Sequence, residues 1–189
     1  HKYGDVFVAT LSGKLTLDLT YANLKLEGAG DDSRIVFAYG NGSIVRAGDL
    51  SAELGYAKLR INEARDIQVT SKYSQLSIDL AADIRSNSKY DDYNLGTVRD
   101  FNNSGKYDNI DIERAEHVEV SSRYTQVNVG EVTRGLDLDL QYGGARTGLS
   151  RGFGEVTLMG NYTDFKLQVA NGAAYRIDVA ATYAGIVYP

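Results

Sequence analysis

IQVTSKYSQLSIDLA (67–81), IRSNSKYDDYNLGTV (84–98), FNNSGKYDNIDIERA (101–115) and VEVSSRYTQVNVGEV (118–132) follow one another through the middle of the chain. Each is built on the same frame around a tyrosine, at 73, 90, 107 and 124. Working outward, tyrosine recurs at 3, 21, 39 and 56 on one side and at 142, 162 and 183 on the other. The successive spacings are 18, 18, 17, 17, 17, 17, 17, 18, 20 and 21. Eleven of the 14 tyrosines fall in this one series, so the chain is a repeat array. No linker or shift of composition interrupts it, and residues 1–189 read as one repeat domain.

With each tyrosine numbered zero, positions −6, −4, −2 and 0 form one alternating set: Leu15, Leu17, Leu19, Tyr21, or Leu136, Leu138, Leu140, Tyr142. The intervening positions are mostly polar, as in Gln68, Thr70, Lys72 and Arg85, Asn87, Lys89. Period two over this length predicts a half-buried strand. A short polar turn follows, and apolar residues return at +3 and +5: Leu59 and Ile61, Leu76 and Ile78, Ile110 and Ile112. Position +8 is small or aliphatic: Ala64, Ala81, Val98, Ala115. No stretch has a helical period.

Such a unit cannot bury its apolar face alone, whereas stacked copies lay like residue over like in a continuous core. The fold expected is all-β: a single-stranded parallel β-helix, or β-solenoid, of about 10–11 coils spanning about 50 Å at one strand separation per coil. Right-handed winding follows from the general chirality of parallel connections. No apolar residue recurs every six positions, as a hexapeptide helix needs. The GGxGxD motif of calcium-binding rolls is absent, and the alternate face is too polar for a membrane barrel. An antiparallel sandwich is the remaining alternative.

Composition narrows the function. A 43% hydrophobic content with net charge −5 does not suit a disordered chain, and the acidic balance opposes a dedicated nucleic-acid binder. Without cysteine there is no disulfide or thiolate metal site; two histidines, one of them residue 1, leave no histidine-built metal or triad site. No cofactor is implied. The first coil starts at its tyrosine, so the parent protein is expected to continue upstream. The late spacings imply insertions near 146–155 and 171–175, each read as a bulge in its coil.

Four files of residues carry possible chemistry. The tyrosines share phase with Leu and Val, which points them inward as a core or corner stack rather than an aromatic platform for sugars. On that basis Tyr90→Ser or Tyr107→Ser would cost a few kcal/mol through a lost buried ring. Position −1 holds Lys72, Lys89, Lys106 and Arg123, a basic ladder and the binding surface expected for an acidic polysaccharide. Like charges one strand apart repel, and Asp91 and Asp108 at +1 are the offsetting partners expected. Position −7 holds Asp49, Asp66, Asp83 and Asp100, read as corner residues bonding nearby backbone, with Arg65 and Arg99 alongside. Ser71, Ser88, Gly105 and Ser122 at −2 make room beside the rings, and no catalytic residue is assigned.

The repeated pattern in SKYSQLSI, GKYDNIDI and SRYTQVNV, with the ending AAYRIDVAATYAGIVYP, resembles the bacterial cell-surface proteins described as adhesins, built as single-stranded parallel β-helices. The resemblance covers essentially the whole chain. It implies an exported, cell-envelope, cell-surface or periplasmic location and a non-enzymatic adhesin or structural binding module. The partner would be an acidic polysaccharide or a host or cell-surface protein. The competing hypothesis is a polysaccharide-degrading β-helix enzyme, a pectinase-like lyase or hydrolase. Coils held to 17 or 18 residues leave little chain for the walls of a catalytic cleft.

Overall fold

The computed structural model describes residues 2–173, 176–183 and 186–187. Among these, every strand pairing is parallel, and the strands join in one continuous sheet wound into stacked coils. This is the β-solenoid that the repeat predicts. In the middle of the stack one coil is a single bent strand, such as Lys58–Lys72, Gln75–Lys89, Asp92–Lys106 or Asn109–Arg123. The register carries Ile67 onto Ile84, Phe101 and Val118, and Asp66 onto Asp83, Asp100 and His117. Positions −6, −4, +3, +5 and +8 point inward; Ile61, Ile84, Ile110 and Val127 are fully enclosed. Each such side chain covers the one in the next coil, so the core is a column of apolar ladders.

The tyrosines depart from expectation. From Tyr21 to Tyr162 the ladder rings are 40–51% exposed, not inward. Each ladder tyrosine has a positive φ, between 51° and 63°. A left-handed residue reverses the facing of the chain, so the side chain that alternation would put inside swings out, and position +1 takes the inward place. The apolar pattern already shows that change of phase, running on even positions before the tyrosine and odd ones after it.

The insertion near 146–155 is shorter than expected. Gly144–Leu149 and Glu155–Asn161 are regular strands, and the insertion is confined to the turn 150–154, three residues longer than in a 17-residue coil. Phe153 in that turn is buried, so the bulge plugs the core. Of the second insertion, Ala174 and Tyr175 lie outside the described residues, as do Tyr188 and Pro189 of the closing coil.

Candidate functional site: the tyrosine edge and its flanks

The edge is built by one corner repeated in every coil. The tyrosine N–H still joins the ladder: Tyr56, Tyr73, Tyr90 and Tyr107 donate to the carbonyls of Lys72, Lys89, Lys106 and Arg123 at 2.9–3.1 Å. The left-handed turn then follows, at a cost of about 1–2 kcal/mol for any residue but glycine. Stacking offsets it. Successive rings lie 4.6–5.4 Å apart, with interplanar angles of 3–14°. Each such contact contributes about 0.5–1.5 kcal/mol beyond the area it covers.

This stack has a chemical consequence. The ring faces are taken by neighbouring tyrosines, so the ladder offers solvent its ring edges and hydroxyls. Flat stacking of a sugar or a base on a ring is blocked along its length.

Beneath the edge, the residue after each tyrosine closes the corner from inside. Its N–H is met by a side chain of the next coil: Ala57 N–H by Ser74 Oγ, Ser74 N–H by Asp91 Oδ1, Asp91 N–H by Asp108 Oδ1, Asp108 N–H by Thr125 Oγ1. Asp91 and Asp108 are therefore buried. They do not reach the basic file, which corrects the expectation that they offset it. The other oxygens of these two carboxylates accept the Ser71 and Ser88 hydroxyls at 2.8 Å. Burial raises the Asp108 carboxyl to about 6, against the N–H and hydroxyl donors that favour its charge. Asp91 is raised for the same reason. Tyr93, which is off the ladder and enclosed, bonds Ser71 at 2.8 Å, and Asn103 donates to Ser86 and Ser88 at 2.7 Å. The middle coils thus carry a buried polar seam where their neighbours carry Leu and Val. The −2 residues serve this seam rather than the rings.

On the −1 flank, Lys72, Lys89, Lys106 and Arg123 stand in direct register, all exposed. Lys89 Nζ is 5.4 Å from the Tyr90 ring centroid. Among the described residues none of the four forms an ion pair, whereas Arg34, Arg46, Arg60, Arg65, Arg99 and Arg114 all do. On the +2 flank lies an open groove of about 750 Å³ between Tyr56–Tyr124 and a row that includes Lys58, Gln75, Asp92 and Asn109.

The acidic file is held by arginines. Arg65 lies 3.1 Å from Asp31 and 2.6 Å from Asp49, and Arg99 lies 2.6 Å from Asp83 and 2.9 Å from Asp100. The Arg65 hydrogen bond holds Asp49 below its ordinary range. At Asp100 burial acts upward, but hydrogen bonds with Arg99, Asp83 and His117 outweigh it and the carboxyl is lowered. The tertiary structure adds one grouping that no single file announces. Glu119 is in register with Asp137, and Glu155 lies beside them in a recess of about 440 Å³ that also reaches His117. Burial, then repulsion from Glu119, Asp139 and Glu155, raises Asp137.

Compared with family models, with curated proteins and with solved structures, the chain matches none.

Proposed function

We propose that the chain is a non-enzymatic surface module, adhesin-like, that lays an extended polymer or a partner surface along its tyrosine edge. The observation that carries this reading is the ladder itself. Eleven tyrosines occupy a strained conformation, and their rings are left 40–77% exposed at a regular spacing. Backbone strain repeated where a side chain is presented to solvent points to a use for that side chain. Tyrosine suits contact surfaces because a rigid ring with a polar tip loses little entropy on binding. The resemblance to bacterial adhesins agrees with this, and in that setting the module works exported, at the cell envelope.

The test is a panel of polysaccharides and matrix proteins probed with the full chain and with a Tyr73→Gly/Tyr90→Gly/Tyr107→Gly variant that keeps its far-ultraviolet dichroism. Binding lost in the variant supports the reading; equal binding by both removes it. The second reading is a polysaccharide lyase or hydrolase centred on the recess of Glu119, Asp137 and Glu155, favoured by the raised Asp137 carboxyl. Release of unsaturated or reducing ends that disappears in Asp137→Asn would favour it over the module.

A further inference from the structure

The face beside the tyrosine edge changes character over a bounded set of coils. Position −1 is Lys2 in the first coil and Thr20, Ala38 and Gly55 in the next three, then Lys72, Lys89, Lys106 and Arg123 in an unbroken run, then Gln141, Asn161 and Thr182. Position −3, two residues along the same outer face, is Asp18, Val36 and Glu53, then Thr70, Asn87, Ser104 and Ser121, then Asp139 and Met159. Both files switch at the same two boundaries. Inside them the surface holds four cations in line and, parallel to them, four short hydroxyl or amide side chains, all exposed. Among the described residues no ion pair engages the cations, and no hydrogen bond engages the side chains of Thr70, Asn87, Ser104 or Ser121. The tyrosine row walls one side; Asp91 and Asp108 are turned into the core, and Glu119, exposed on the same face as Arg123, is held by the Asn102 amide at 2.6 Å.

Resting on the reading of this edge as a binding surface, we infer that the four coils from Thr70 to Arg123 form a subsite for an acidic polysaccharide, one carboxylate-bearing sugar per coil. A ligand that fills both files must offer, at every repeat of about 4.8 Å, an anionic group and neutral hydrogen-bonding groups side by side. An extended polyuronate does so: each sugar has one carboxylate for the −1 cation and ring hydroxyls for the −3 side chain, and its length is close to one strand separation. Stacked cations that repel in the free module gain most from such a ligand. A nucleic acid fits poorly. Its phosphates are about 3.4 Å apart along a strand of the duplex. Single strands are held by bases stacked on open aromatic faces, which this ladder has closed. Both files run from coil to coil in register, so the ligand lies along the solenoid axis.

The experiment is titration calorimetry of the full chain with an oligogalacturonate and with its methyl-esterified, uncharged form, at low and at physiological salt. The acid form is expected to bind, more weakly as salt rises, and the ester to bind at least about tenfold less. Lys89→Gln/Lys106→Gln should weaken the acid form by about tenfold with dichroism unchanged, while Lys89→Arg/Lys106→Arg keeps it. Equal binding of acid and ester, indifference to the glutamine pair, or tighter binding of a sulfated glycan or an RNA overturns the inference. If both sugar forms bind equally and the tyrosine-to-glycine variant loses both, the carboxylate assignment fails while the edge stands. If neither binds and no other polymer does, the edge reading fails with it.

Discussion

Tyr90 is where the corner can be tested against its own arithmetic. Its φ is 59°, its ring is 40% exposed, and it stacks on Tyr73 at 4.8 Å and on Tyr107 at 4.6 Å. Tyr90→Ala removes two ring contacts, about 0.5–1.5 kcal/mol each, and leaves the left-handed strain in place. The expected loss is about 1–3 kcal/mol. Tyr90→Gly removes the same contacts but releases about 1 kcal/mol or more of strain, so it should lose only about 0–2 kcal/mol. Glycine is therefore expected to be the more stable of the two by about 1 kcal/mol, a difference of about 2–4 °C in Tm. In an ordinary strand the order is reversed, with glycine worse than alanine by about 0.5–1 kcal/mol. The loss also differs in kind from that of a buried ring: no core cavity opens, because the ring was never inside. Thermal and denaturant unfolding of the three proteins, followed by dichroism, measures this. An alanine variant as stable as the glycine variant, or more so, refutes the left-handed corner. Two variants as stable as the parent refute the stack.

The buried carboxyl of Asp108 has a folded pKa of about 6 against an ordinary 3.8, so its contribution to stability is full below about pH 4 and is lost as pH rises through 6. At pH 7.5 this amounts to at most about 3 kcal/mol. Asp108→Asn keeps an acceptor for the Asp91 N–H and places its amide against Ser88 Oγ; it should be more stable than the parent at pH 7.5 and lose that advantage at pH 4, read by urea unfolding at both. In the bulge, Phe153→Ala should lose about 3 kcal/mol by opening a core cavity. If its Cm in urea matches the parent's, the loop is not a core plug.

Much of the architecture was legible because a parallel stack repeats its demands coil after coil. Ile67, Ile84, Phe101 and Val118 announce a core ladder by recurring one coil apart, and Lys72, Lys89, Lys106 and Arg123 announce a surface file in the same way. The arginines beside the acidic file were visible too, as Arg65 and Arg99. The seam of Ser71, Asp91, Tyr93, Asn103 and Asp108 was not, since polar residues after a tyrosine read as turn. The recess of Glu119, Asp137 and Glu155 was hidden because it joins different columns across a coil of irregular length.

The sequence by itself determined the period, the register and the inward aliphatic columns, because alternation and recurrence are properties of order along the chain. Only the tertiary structure decided which way the tyrosines face. One dihedral per coil, of positive sign, turns the ring out and the next residue in, and no spacing reports the sign of φ. From that single rotation follow the exposed edge, the burial of Asp91 and Asp108, and a basic flank left without carboxylate partners.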